Sequence, residues 1–318
     1  MKNLLLKRKL NPNVSLAQFL NDIDSLFDIL KEEYGGYTYF RPNRFRRAKE
    51  HILRRVASDF SFEKAVGILI EELRKVLVDG HFKINGVRLA LRNETPIPAE
   101  YDYSVRIERH DNYDFIDLKK CLFENEKEKR QLDEFVEFGK EIINEKPLIL
   151  DLRDNCGGSD IYICEFLQNL LGATPDYPCW FRLRKGKLFE QYLLSLDKRY
   201  QLDNFPSIVR SEGTIMPNKK PIFALIDNGV ASSGESCVAL LKSVESSTLI
   251  GESTFGCFSF GNCIRIYLPN SHLEVFFGTG ILLYNKNTNI DSVPGFAPDV
   301  PSKPEDALGV ALDLISKL

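Results

Sequence analysis

Pro147-Leu148-Ile149-Leu150-Asp151-Leu152-Arg153-Asp154-Asn155-Cys156-Gly157-Gly158-Ser159 is the stretch on which the reading of this chain turns. A short apolar run bounded by turn-forming residues has the length and content of a strand buried on both faces. A polar turn with two adjacent glycines follows, then a helix carrying Ile161, Cys164, Leu167 and Leu171 on its apolar side. Residues 222–226 repeat the pattern with a strand, a turn, a helix from 233 to 246 and a further strand over 248–250. Buried strands alternating with helices predict right-handed crossovers and a largely parallel sheet. In such sheets ligands sit beyond the carboxyl ends of the strands, where the Gly157-Gly158 turn falls.

Outward from this core, residues 104–108 and 113–118 alternate around His110-Asp111-Asn112 and read as a hairpin, followed by a charged helix over 126–144. A second hairpin pairs 264–268 with 273–277. Toward the N-terminus the pattern turns helical. Leu16, Phe19, Leu20, Ile23, Leu26, Phe27 and Leu30 form one stripe, with Ser15 placed to cap it and Gly35-Gly36 to end it. Further helices are expected over 43–57 and 62–78. The expected division is an N-terminal helical subdomain, residues 1–97, and an α/β core, residues 98–318. Residues 172–220, which include Trp180, show few clear elements and suit an insertion or flap.

Apolar residues make up 43% of the 318 and charged residues 27%, a globular balance that supports a sizeable core. Lysine plus arginine (42) nearly cancels aspartate plus glutamate (45), which speaks against a nucleic-acid partner. The seven cysteines form no C-x-x-C pair, and neither they nor the four histidines show zinc spacing. Free thiols in a reducing compartment are the simpler reading. The start, Met1-Lys2-Asn3-Leu4-Leu5-Leu6-Lys7, is too short in apolar residues for a signal peptide or a membrane segment, so a cytoplasmic location is expected.

Three segments hold candidate chemistry. At Gly157-Gly158 the backbone can approach a substrate and aim N–H groups at it, although a plain strand-to-helix turn needs no more. At Asp227-Asn228-Gly229-Val230-Ala231-Ser232-Ser233-Gly234-Glu235, Ser232 stands between a strand end and a helix start, where the next amide and the helix dipole would face an oxyanion. Ser232-x-x-Glu235 is equally a capping box. At Val78-Asp79-Gly80-His81, just past a helix, the histidine is either functional or an ordinary neighbour of a left-handed Gly80 cap. His51 falls in a helix, and His110 and His272 fall in hairpin turns.

Taken together, the order of motifs resembles the tail-specific, or C-terminal processing, serine peptidases. The resemblance rests on Leu150-Asp151-Leu152-Arg153, Asn155 and Gly157-Gly158, then about 75 residues later Val230-Ala231-Ser232-Ser233-Gly234-Glu235. Leu249-Ile250-Gly251-Glu252-Ser253-Thr254-Phe255-Gly256, Gly295-Phe296-Ala297-Pro298-Asp299-Val300 and Tyr34-Gly35-Gly36-Tyr37 add to it. It implies a ClpP/crotonase-like core with Ser232 as nucleophile. The oxyanion hole would be built from the amides of Ser233 and Gly158, or Gly157. The substrate would be a peptide or protein, cut near its C-terminal region, with no cofactor.

One departure matters. Family members with a Ser–Lys dyad carry the lysine 25 residues after the serine, and here that residue is Cys257. A thiol does not replace a buried neutral amine. The chain therefore resembles the branch that includes the tricorn core and the nisin resistance protein, which works with a serine and a histidine. Its small size, helical N-terminal unit and missing peptide-binding PDZ module are similar to the nisin resistance protein. On that resemblance His81 is the base, while Glu235 orients the pair or binds substrate. Asp79, Glu235 and Asp291 are the acids open for orienting His81. The competing reading is an inactive peptide-binding relative, with acyl-CoA chemistry on a crotonase-like fold as a third class. Cys257 as a thiol nucleophile has no support from its neighbours in sequence.

Overall fold

A computed structural model describes residues 4–40, 42–90, 101–142, 146–196, 202–285 and 295–318. In chain order the elements begin with α1 (Leu16–Glu33), α2 (Pro42–Ser58), α3 (Phe62–Arg74), β1 (Lys83–Ile84), β2 (Val87–Arg88), β3 (Val105–Arg109) and β4 (Asp114–Leu118). They continue with α4 (Glu126–Glu141), β5 (Leu148–Asp151), α5 (Asp160–Leu171), β6 (Cys179–Leu183), α6 (Lys187–Leu196) and β7 (Ile208–Ser211). The last are β8 (Ile222–Ile226), α7 (Ser233–Leu241), β9 (Ser247–Gly251), β10 (Phe260–Tyr267), β11 (Glu274–Tyr284), β12 (Val300–Pro301) and α8 (Ala307–Ile315).

These form two compact units. The second contains residues 94–179, 211–258 and 284–318, and is a mixed α/β body around a six-stranded sheet ordered β12-β9-β8-β5-β4-β3. β4, β5, β8, β9 and β12 run parallel, and only the edge pair β3–β4 is antiparallel, as the hairpin pattern predicted. The central strands β5 and β8 are buried at every position because both faces are covered. Leu148, Leu150, Ile222, Ala224 and Ile226 point into one core with α4, α5 and α7 residues. Ile149, Phe223, Leu225 and Ile250 point into the other, with Ala307 and Ala311 of α8. The alternation is the two-residue period of a strand sorting neighbours onto opposite faces. Phe135 of α4 stacks on Phe166 of α5 with centroids 4.2 Å apart, fastening the two helices to each other.

The first unit contains residues 1–93, 180–210 and 259–283. α1 opens on a true capping box: Ser15 Oγ accepts the Gln18 amide, and Gln18 Oε1 accepts the Ser15 amide at 2.8 Å. Phe19, Ile23, Leu26, Phe27 and Leu30 of its apolar stripe are buried, and at its end Tyr34 is sealed among Phe45, Phe82, Phe260 and Phe277. Gly35 lies flat against β11, donating to the Gly278 carbonyl at 3.0 Å; a Cβ there would meet the Gly280 carbonyl carbon at 2.7 Å. The Tyr-Gly-Gly sequence is thus a close backbone approach as well as a helix stop. The six-stranded sheet of this unit is ordered β2-β1-β11-β6-β7, with β10 paired antiparallel to β11.

The division differs from the expected single cut at residue 97, which itself lies outside the described residues. Two later segments pair with the N-terminal part: β1 and β10 both hydrogen-bond to β11. Residues 172–220, expected as an insertion, carry β6, α6 and β7, and Glu33 of α1 accepts the Leu188 and Phe189 amides at the start of α6. α3 stops at Arg74, short of the expected 78.

Phe135→Ala is expected to cost about 3–5 kcal/mol, because it opens a cavity in a sealed core. Phe123→Ala, at an exposed position, is expected to stay within about 0.5 kcal/mol. Urea unfolding followed by circular dichroism separates the two.

Candidate active site

The carboxyl ends of β4, β5, β8 and β9 release four segments that hydrogen-bond to one another. After β8, Asp227 Oδ1 accepts the Gly229 amide at 2.9 Å and the Asp154 amide at 3.0 Å, tying the turn before α7 to the turn before α5. The Ala231 amide donates to the Asn155 carbonyl at 2.8 Å. The Asn155 side chain is fully buried; its Oδ1 accepts the Gly157 amide at 2.9 Å and its Nδ2 donates to the Leu118 carbonyl at 2.7 Å. The Cys121 amide donates to the Gly157 carbonyl at 2.8 Å, and the Ser159 amide to the Cys121 carbonyl at 2.7 Å.

Within this frame Ser232 sits at φ 53°, ψ −120°, a left-handed conformation that costs a non-glycine residue about 1–3 kcal/mol. It is half-buried and heads α7, whose first three residues, Ser233, Gly234 and Glu235, are buried. A strained serine on a sharp strand-to-helix turn is the geometry of a nucleophile elbow, in which the backbone throws the hydroxyl clear of the helix. The capping box read from Ser232 and Glu235 does not form. Ser232 makes no side-chain cap bond, because its φ turns the hydroxyl away from the helix amides.

Glu235 is fully buried and spent elsewhere. Its carboxylate accepts Thr254 Oγ1 at 2.7 Å, the Gly256 amide at 2.6 Å and the Cys257 amide at 2.7 Å. Burial pushes its pKa up, and those three donors and the Cys257 thiol oppose the rise. It is a bracket for residues 254–257, sealed from solvent, so the expectation that it binds substrate is set aside. Cys257, at the position of the family lysine, is buried and places Sγ 3.2 Å from the Ser232 amide nitrogen, which donates to it.

Of the two candidate glycine amides, that of Gly157 is committed to Asn155. The Gly158 and Ser233 amides have no acceptor among the described residues. Ser233 Oγ donates to the Gly158 carbonyl at 2.9 Å, linking the two segments that carry them. Gly157 has φ 97°, and a Cβ on it would lie 2.7 Å from the Ser232 Cβ. The glycine pair therefore serves the close passage of one turn against the other.

His81 belongs to the first unit. Gly80 is not left-handed, and the expected glycine cap is replaced by an Asx-type turn in which Asp79 Oδ1 accepts the His81 amide at 2.7 Å. The same oxygen lies 3.8 Å from His81 Nδ1, which puts Asp79 beside the imidazole. Asp79 is fully buried with Tyr34 against it, and desolvation lifts its pKa to about 7 despite amide donors from His81, Gly278 and Phe82. Asp291 lies outside the described residues. Asn155 and Thr254 escaped the sequence reading of roles, although both stand inside motifs it singled out.

A parallel α/β sheet whose strand ends build a nucleophile elbow beside uncommitted amides defines a serine hydrolase architecture. Residues 115–302, more than half of the chain, match the model of Peptidase family S41, and the chain belongs to that family of serine-type peptidases. His81 lies outside the matched stretch. No curated protein sequence matches the chain. Among solved structures, a lipoprotein from Streptococcus agalactiae is 19% identical, with a TM-score of 0.56, over 98% of this chain and 99% of that one. Mature CPAF is 11% identical, with a TM-score of 0.62, over 95% and 97%. At such identities these likenesses speak for the fold.

Gly157→Ala is expected to destabilise the protein by about 1–3 kcal/mol, since the residue is left-handed and its Cβ meets backbone on the Ser232 turn. Chemical denaturation of the purified variant checks this.

Proposed function

We propose that this peptidase cleaves peptide bonds near the C-terminal region of its substrate by acylation of Ser232, with His81 as general base. The observation that carries the reading is the strained Ser232 elbow beside the uncommitted Ser233 and Gly158 amides. Ser232 Oγ attacks the peptide carbonyl carbon and His81 takes its proton. The oxyanion is held by the Ser233 and Gly158 amides and by the positive end of α7. The C–N bond then breaks, the amine leaving with the proton from His81. Water, activated by the same imidazole, frees the acyl group. Asp79 steadies His81 and offsets the charge of the imidazolium. The preference for a C-terminal region and the histidine as base rest on the motif resemblance. No helix among the described residues is long and apolar enough to cross a membrane.

Cys257 in the lysine position favours one other reading, a peptide-binding relative without turnover. A fluorophosphonate probe distinguishes the two, since labelling at Ser232 requires an activated hydroxyl. Ser232→Ala and His81→Ala are each expected to abolish cleavage with the fold intact by circular dichroism. Full activity in His81→Ala would overturn the pairing.

The pH dependence follows from the two groups on the Asp79 turn. A general base must be neutral, with an ordinary imidazole pKa of about 6.5, and Asp79 becomes an anion only around 7. Activity is therefore expected to rise with pH through about 6–7. Stability runs the other way. A carboxyl raised above its unfolded value holds its proton more tightly when folded, so its contribution falls as pH climbs from near 3.8 through about 7. Asp79→Asn is expected to lower kcat while leaving the protein at least as stable at pH 8, read by pH–rate profiles and melting temperatures.

A further inference from the structure

We infer that Cys257 is a positioning residue whose sulfur holds the nucleophile's own backbone in its strained conformation. This rests on the reading of Ser232 as nucleophile. The argument starts from cost. A serine at φ 53° persists only where its surroundings over-determine it. Backbone carbonyls take the nearby amides of Ala231, which donates to the Asn155 carbonyl, and of Gly234, which donates to the Ala231 carbonyl. The Ser232 amide itself is turned away from both strand and helix by that φ, and its acceptor is Cys257 Sγ at 3.2 Å.

That sulfur is fixed in turn. The Cys257 amide donates to Glu235 Oε2 at 2.7 Å, and the Gly256 amide and Thr254 hydroxyl hold Oε1 at 2.6 and 2.7 Å. The Cys257 thiol is also among the groups that oppose the rise of the Glu235 pKa on burial. Thr254 Oγ1 also accepts the Phe296 amide at 2.7 Å, which anchors the loop at its other end. Glu235 lies on α7 one turn past Ser232, so the chain of bonds closes a ring: helix carboxylate, loop, sulfur, nucleophile amide, helix. A thiol suits the place because it donates to the carboxylate and accepts the amide at once, through a soft, polarisable atom. An ammonium in the same position has three donors and no acceptor, and a neutral lysine acting as base commits its one lone pair to the nucleophile's proton, so neither form does what the thiol does for the Ser232 amide. The residue that replaces the family's base has thus taken a different task.

The test uses the full chain with Cys257→Ala and Cys257→Ser. The alanine variant loses the acceptor, and kcat is expected to drop about 10–100-fold with KM and melting temperature little changed; serine, which keeps one donor and one acceptor, restores most of it. Hydrogen exchange of residues 230–236 supplies a readout independent of turnover, with the Ser232 amide exchanging faster in Cys257→Ala and returning toward wild type in Cys257→Ser. Wild-type exchange at that amide in the alanine variant overturns the inference, as does wild-type kcat there. Wild-type protein that resists fluorophosphonate, combined with faster exchange in Cys257→Ala, leaves the clamp standing and defeats the nucleophile reading instead.

Discussion

The catalytic unit depends on one buried amide. Asn155 sits where three separately arriving pieces of chain must be brought to register: the end of β4, the glycine turn before α5, and the turn that presents Ser232. Its side chain takes the Leu118 carbonyl and the Gly157 amide, and its own carbonyl takes the Ala231 amide. A buried polar group of this kind is worth having only when every bond is made, because each unmade one carries its full desolvation cost. Asn155 also decides which glycine is left open: by consuming the Gly157 amide it leaves Gly158 as the one with an unspent donor. Which of the two glycine amides stays uncommitted is therefore a by-product of how two turns are joined.

Strain and support are distributed unequally around Ser232. The cost is stored at the left-handed Ser232, and Asn155, Asp227 and Glu235 absorb it from sealed positions behind. All three are polar side chains that accept backbone amides, so the site is made almost wholly of main chain held by a few side-chain oxygens. Such a site is stiff, which suits preorganised stabilisation of a developing charge.

Much of the catalytic unit was legible in the sequence, because a buried parallel strand has a local signature. Ile222–Ile226 is apolar at every position, and the structure uses every position. The Ser15 cap was readable for the same reason, since donor and acceptor lie within four residues of each other. The Ser232–Glu235 pair has identical spacing and a different outcome. Its fate was set by Thr254, Gly256 and Cys257, 19 to 22 residues downstream of Glu235, which no local pattern announces. The partnership of Asp79 with His81 was hidden by the usual divergence of side chains so close in sequence, and an Asx turn overrides that divergence. The division of the chain was hidden most deeply: β1 pairs with β11 across some 190 residues, and pairing at that range leaves no periodic trace.

That long-range pairing has a consequence for how the protein comes off the ribosome. The helical front emerges first, yet its sheet cannot be completed until β10 and β11 have been synthesised, after nearly all of the other unit's strands. During translation the faces that Phe82 and Tyr34 will share with Phe277 stay open while the parallel sheet is being assembled from the same thread. Nascent chains held in that condition are the natural clients of chaperones that shield apolar surface, and slow codons placed before residue 259 would lengthen the exposure.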